Sequence, residues 1–143
     1  MATQLMIFPR VQQQLRFSYA HLQMMMYRPF LHFASPRCET NKTDRRSYAC
    51  AAAGVSVARN VVHIAAEMKR RHLLTGSHWF VVYTCYLAVL SLVYFVYENP
   101  VSQSAQDIMK DAAEGKNILG SLAKQSLATD RCFQSLAVRN FIC

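Results

Sequence analysis

The stretch from Trp79 to Tyr97, WFVVYTCYLAVLSLVYFVY, constrains the fold of this chain more than any other feature. Its nineteen residues contain no charge, glycine or proline, and only Thr84 and Ser91 are plainly polar. Ser77 or His78 can open a helix here. Asn99-Pro100 closes it, because the residue before a proline is pushed out of helical geometry. A helix over 77–98 of this composition needs an apolar solvent. At about 1.5 Å per residue it would cross a hydrocarbon core of roughly 30 Å. Trp79 and Tyr83 near one end and Tyr94 and Tyr97 near the other have the placing of interfacial aromatic belts. The alternative is that other helices of the same chain surround it.

The remaining sequence favours that alternative. Pro9 marks the entry to a first helix after a tail over residues 1–10, since proline suits a first turn and not an interior. From Val11, the residues Leu15, Tyr19, Leu22 and Met26 fall at helical spacing and form the apolar face of that helix. Arg28-Pro29 ends or kinks it and throws Phe30, Leu31 and Phe33 onto a neighbour. Residues 34–46 have no apolar period and read as a polar loop.

Ser47 is a candidate N-cap for a second helix running to about Leu74. Ala51, Val55, Ala58, Val62 and Ala65 give that helix a narrow stripe suited to close helix packing. Lys69, Arg70 and Arg71 complement its negative end, and Gly76 stops it. Ser102 begins a fourth helix with Ile108, Ala112, Leu119 and Leu122 on one face and Gly115 as a weak point. A fifth helix, from about Leu127 to Phe141, buries Cys132, Phe133 and Leu136. Each one-sided stripe must be covered. A central apolar helix among amphipathic ones satisfies both needs, so the pattern predicts an all-α fold: an irregular bundle of about five helices around residues 77–98. A single-pass membrane protein spanning at 79–97 is the competing reading.

Composition narrows the function classes. The 143 residues are one domain's worth, 52% hydrophobic and 17% charged, with a net charge of +8. The basic residues are scattered apart from Arg45-Arg46 and Lys69-Arg70-Arg71-His72. A solvated basic surface is the simplest account, because phosphate tracking wants a continuous stripe. The five cysteines, Cys38, Cys50, Cys85, Cys132 and Cys143, are far apart in sequence, which fits neither a disulfide framework nor a zinc site and does fit reduced thiols.

No catalytic motif emerges. Gly54-Val55-Ser56-Val57-Ala58 approaches the serine-hydrolase elbow, but no strand precedes it, and Ser56 reads as a helix serine. Gly115-Lys116 lacks the earlier glycine of a phosphate loop. His63 and Glu67 lie one turn apart and read as a hydrogen-bonded pair, because a metalloprotease helix would need two histidines there. The chain is expected to be non-enzymatic, with no metal or cofactor of its own.

Four segments, in order, carry a resemblance: Tyr27-Arg28-Pro29-Phe30-Leu31-His32; residues 47–76; the central helix from His78-Trp79-Phe80 to Glu98-Asn99-Pro100; and residues 107–132, ending Ala128-Thr129-Asp130-Arg131-Cys132. Together they resemble the fungal-specific transcription factor domain, the middle homology region of binuclear zinc-cluster regulators of the xylanolytic activator type. The similarity extends over residues 11–137, leaving 138–143 as a tail that does not match.

The resemblance implies a nuclear, all-helical regulatory region that modulates transcription by RNA polymerase II. Its partners would be the rest of the parent factor or other transcriptional regulators, with homo-oligomers allowed and no membrane. The family's zinc-binding cysteine triplets are absent here, so DNA would be reached only indirectly, through a zinc-cluster domain this sequence does not contain. The earlier half of the family's helical domain is also missing, and a partial domain is the expectation. The structural and interaction candidates are Tyr27, Arg28, Pro29 and Phe30 at the kink, Trp79 at the head of the central helix, and Arg131 in the last one.

Overall fold

The structure is a computed structural model that describes residues 2–34, 45–73, 79–123 and 127–140. Five helices carry it: α1 (Ala2–Tyr27), α2 (Arg45–Arg70), α3 (Trp79–Glu98), α4 (Ala105–Ala123) and α5 (Leu127–Asn140). A 3₁₀ helix over Arg28–Ala34 follows α1, and no strand occurs among the described residues. The fold is all-α. Helix α3 touches every other element and is the axis of the bundle.

Its composition explains that position. Val81, Val82, Thr84, Cys85, Leu87, Ala88, Val89, Ser91 and Leu92 are buried, more than half a helix circumference over its first four turns. The two polar side chains within that set have partners. Ser91 Oγ donates to the Leu87 carbonyl at 2.9 Å, and Thr84 Oγ1 lies 3.1 Å from His21 Nδ1 of α1. Trp79, Tyr83, Tyr94 and Tyr97, the aromatic residues at the two ends, are exposed. Both α3 and residues Ala49–Arg70 of α2 are long and apolar enough to cross a membrane, and about half of each is buried by its neighbours.

Helix α2 packs on α1, the 3₁₀ helix, α3 and α4. Its expected stripe, Ala51, Val55, Ala58, Val62 and Ala65, is buried, together with Val61, Ile64 and Met68. It ends differently from expectation. His72 adopts a left-handed conformation (φ 56°), its N–H donates to the Lys69 carbonyl at 3.0 Å, and the Leu73 N–H donates to the Met68 carbonyl at 2.9 Å. This is a Schellman turn with histidine at the position glycine usually holds. The helix therefore stops ahead of Gly76, which lies outside the described residues. At the other end Ser47 falls inside α2 rather than capping it.

Helix α4 buries Ile108, Ala112, Leu119 and Leu122 as the spacing predicts. Gly115 is the correction. A Cβ there would lie 2.5 Å from Val89 Cγ2 and 3.2 Å from Val62 Cγ2. Gly115 is thus the point where α4 closes on α2 and α3, and the missing side chain permits the approach. Helix α5 buries Leu136 and half-buries Cys132 and Phe133. The Tyr86 hydroxyl, 3.2 Å from Ser135 Oγ, ties it to α3.

Helix α1 departs most from its reading. It starts at Ala2, so residues 2–10 are helical rather than a tail and Pro9 lies within the helix. Its buried face is Gln13, Phe17, Ala20 and Met24, whereas Leu15, Tyr19, Leu22 and Met26 are exposed. At the far end of the chain, residues 138–140 continue α5, and Phe141 lies outside the described residues.

Candidate interaction surfaces

The 27–30 corner is built by the end of α1. Pro29 has no amide hydrogen to extend an α-helical ladder, and the chain tightens into the 3₁₀ helix at Arg28. Leu31 is buried, Tyr27 and Phe30 are half-buried, and Arg28 and Pro29 are exposed. What seats the corner is Gly54 of α2. A Cβ on it would meet Tyr27 Cβ at 3.1 Å, the Tyr27 carbonyl oxygen at 3.5 Å and Leu31 Cδ2 at 3.7 Å. The sequence offered Gly54 only as part of a hydrolase-like string. Its place among Ala51, Val55 and Ala58 in the small-residue stripe was the signal for this packing role.

Trp79 stands at the head of α3, 72% exposed, with its ring edge-on to Phe80 at 6.1 Å. Phe80 turns inward and meets Phe17 at 6.0 Å and His21 at 4.9 Å, both edge-on. Arg131 is exposed on α5. The six sequence candidates therefore occupy three separate places: the α1 corner, the start of α3 and the surface of α5. Among the described residues neither Arg28 nor Arg131 joins an ion pair.

The densest polar cluster was not singled out from sequence. Asp111 of α4 is almost fully buried and receives Arg59 Nε at 2.5 Å and His63 Nε2 at 3.5 Å, both from α2. One carboxylate thus clamps α4 to α2. His63 is paired with Asp111 and not with Glu67, whose carboxylate instead holds Arg70 and Arg71 one turn along. This correction has a simple origin: a partner on another helix competes with the local one, and only the local one is visible as spacing.

Beyond this clamp a cleft of about 580 Å³ opens between α2 and α4, edged by His63, Glu67, Lys69, Arg70, Glu114 and Asn117. Its rim mixes acids and bases. Among the described residues no group of three or more His, Cys, Asp or Glu is arranged to hold a metal ion.

Two of the thiols, Cys85 and Cys132, pack in or against the core. Cys85 is buried between α3 and α4, 4.0 Å from the Gly115 carbonyl, and burial pushes its pKa from 9.0 up to about 12. The nucleophilic thiolate is thereby suppressed near neutral pH. Burial also pushes the Cys132 thiol up. Ser56 is exposed on the uninterrupted helix α2, with no strand-to-helix turn to present it.

Over 134 residues, 90% of this chain, the sequence is 35% identical to Activator of stress genes 1 from Saccharomyces cerevisiae. It is 28% identical over 138 residues, 85% of the chain, to Activator of stress genes protein 1 from Candida albicans. It is also 28% identical over 119 residues, 80% of the chain, to a putative transcriptional regulatory protein from Saccharomyces cerevisiae. The chain spans 14%, 14% and 16% of the lengths of these three relatives. No family model matches it, and no solved structure matches it significantly. The chain is a homologue of fungal transcription regulators.

Proposed function

We propose that this chain is a regulatory, middle-homology-type region of a fungal zinc-cluster transcription factor, acting in the nucleus on transcription by RNA polymerase II. The observation that carries this reading is the 35% identity to a stress-gene activator over 90% of the chain. The all-helical bundle and the ordered motifs from Tyr27 to Cys132 support it. In this reading the chain is non-enzymatic and works by helix packing. Its partners are other parts of a transcription factor or other regulators, and DNA is contacted through a separate zinc-cluster domain. Tyr27, Pro29 and Phe30 would hold the corner against α2, while Arg28, Trp79 and Arg131 would stand at the surface where partners arrive. A ligand or corepressor that prefers one packing over another would shift activity by that preference.

The test fuses the full chain to a heterologous DNA-binding module in a fungal host and measures a reporter together with cell fractionation. A nuclear pool and a reporter level altered relative to the module alone are expected. An unaltered reporter despite a nuclear pool overturns the regulatory reading. Recovery in alkali-resistant membranes overturns it in favour of a membrane span at 79–97. Uniform binding to any DNA that falls steeply with salt would instead assign the effect to the +8 charge.

A further inference from the structure

The end of α2 builds a pocket ringed by positive charge. The left-handed turn at His72 brings the Leu73 N–H to the Met68 carbonyl, and the apolar side chains that bracket such a turn are placed to meet. Arg10, Val11 and Gln14 of α1 close the other side. The result is a pocket of about 260 Å³ with Met68 buried, Leu73 half-buried and Val11 exposed. Between Met68 and Leu73 run Lys69, Arg70, Arg71 and His72, all exposed, and Arg10 is exposed on the α1 wall. We infer that this pocket docks an acidic peptide segment. One bulky apolar side chain of the segment enters it, and carboxylates flanking that side chain meet Arg10 and Lys69.

Charge complementarity selects that occupant. Basic residues at the end of a helix complement its dipole, which accounts for the run on α2. It does not account for Arg10, which belongs to α1 and lines the same pocket. Glu67 takes both Arg70 and Arg71, so its charge is already answered. Among the described residues Arg10, Lys69 and His72 join no ion pair. Helix α1 contains no Asp or Glu, and Glu114 borders the cleft on the α4 side of α2 rather than this pocket. A carboxylate arriving over α1 therefore meets no like charge. The apolar walls select further, because phosphates alone would leave Val11, Met68 and Leu73 unused. Filling the pocket supplies most of the affinity, and the cations supply orientation and rate of encounter. The inference stands independently of the transcription reading.

Fluorescence anisotropy tests it, with the full chain titrated into a labelled, end-capped peptide whose central phenylalanine is flanked by aspartates. Saturable binding with a dissociation constant of roughly 10–100 µM at low salt is expected, weakening as salt rises. Serine in place of the peptide's phenylalanine is expected to weaken binding about tenfold or more, because the apolar anchor is lost. Lysines in place of its aspartates are expected to abolish binding. On the protein, Arg10→Gln is expected to weaken binding about two- to fivefold. Val11→Asp puts a carboxylate on the pocket wall and is expected to weaken it about tenfold or more. Both positions are exposed, and both variants should keep the wild-type helicity. No saturable binding by the wild type at low salt overturns the inference. So does binding that survives both substitutions, or that is equally strong for the serine peptide. Tighter binding of single-stranded DNA or of phosphatidylserine vesicles than of the peptide also overturns it and assigns the basic run to phosphate.

Discussion

Helix α4 buries Ile108, Ala112, Leu119 and Leu122, whereas α1 leaves Leu15, Tyr19, Leu22 and Met26 in solvent, although both sets repeat at helical spacing. The difference lies on the opposite faces. Behind the α4 stripe stand Asp107, Lys110, Glu114 and Asn117, all exposed, so α4 has one side that can be buried. Behind the α1 stripe stand Phe17, Ala20 and Met24, which are apolar as well. Such a helix has two candidate faces, and shape chooses between them. The side that docks must present Phe17 and His21 to Phe80 and bring the Tyr27 corner down on Gly54. A periodic stripe therefore identifies the core only when its reverse side is polar.

Truncation should break the symmetry of the two stripes most strongly. Leu119→Ala removes a fully buried side chain and is expected to cost about 2–5 kcal/mol in urea unfolding. Gly115→Ala comes next. Its methyl would overlap Val89 at the crossing of α4 with α3, at a cost of about 1–3 kcal/mol, and Val89→Ala on the same chain should recover part of that loss.

Alkaline pH probes the same crossing through Cys85. Its folded pKa of about 12 lies above the unfolded 9.0, so the unfolded chain loses this proton first. Stability is then unaffected by this group below pH 9 and falls between 9 and 12, by up to about 1.4 kcal/mol per pH unit. Cys85→Ala should flatten that part of the urea-unfolding profile relative to wild type. Asp111→Ala, which leaves Arg59 and His63 of α2 without their α4 partner, is expected to cost about 1–2 kcal/mol, partly offset by the exposure of both. Smallest of all, Leu15→Ala should change stability by less than about 0.5 kcal/mol, because the side chain is exposed. A loss as large as that of Leu119→Ala would mean that the outer α1 face is core after all.

Much of the candidate surface was legible at the level of single residues and not at the level of neighbourhood. The Tyr27-Arg28-Pro29-Phe30 turn, the start of α3 at Trp79 and the stripes of α2 and α4 follow from proline chemistry and helical period. Which of these meet does not, because a corner on α1 and a glycine in α2 are joined only by packing. The same holds for Asp111, whose arginine and histidine lie about fifty residues away. Local spacing offered His63 a partner in Glu67, and tertiary structure supplied a better one.

By itself the sequence determined that this chain is helical, where α3 ends and which face of α4 is buried, although α4 begins at Ala105 rather than Ser102, and that an uncharged helix would form the axis of the bundle. Those features depend on period, breakers and the absence of charge, which are local. Tertiary structure decided that α2 closes on His72, that Gly115 is a crossing point rather than a flaw, and that α1 turns Leu15, Tyr19, Leu22 and Met26 outward. Each of these depends on the fit of surfaces distant in sequence, and shape complementarity leaves no periodic mark on either strand of the contact. The apolar stretch from Trp79 to Tyr97 shows both sides: its composition demanded an apolar surrounding, and only the neighbouring helices supplied one for Val81 to Leu92 while leaving its terminal aromatic rings outside.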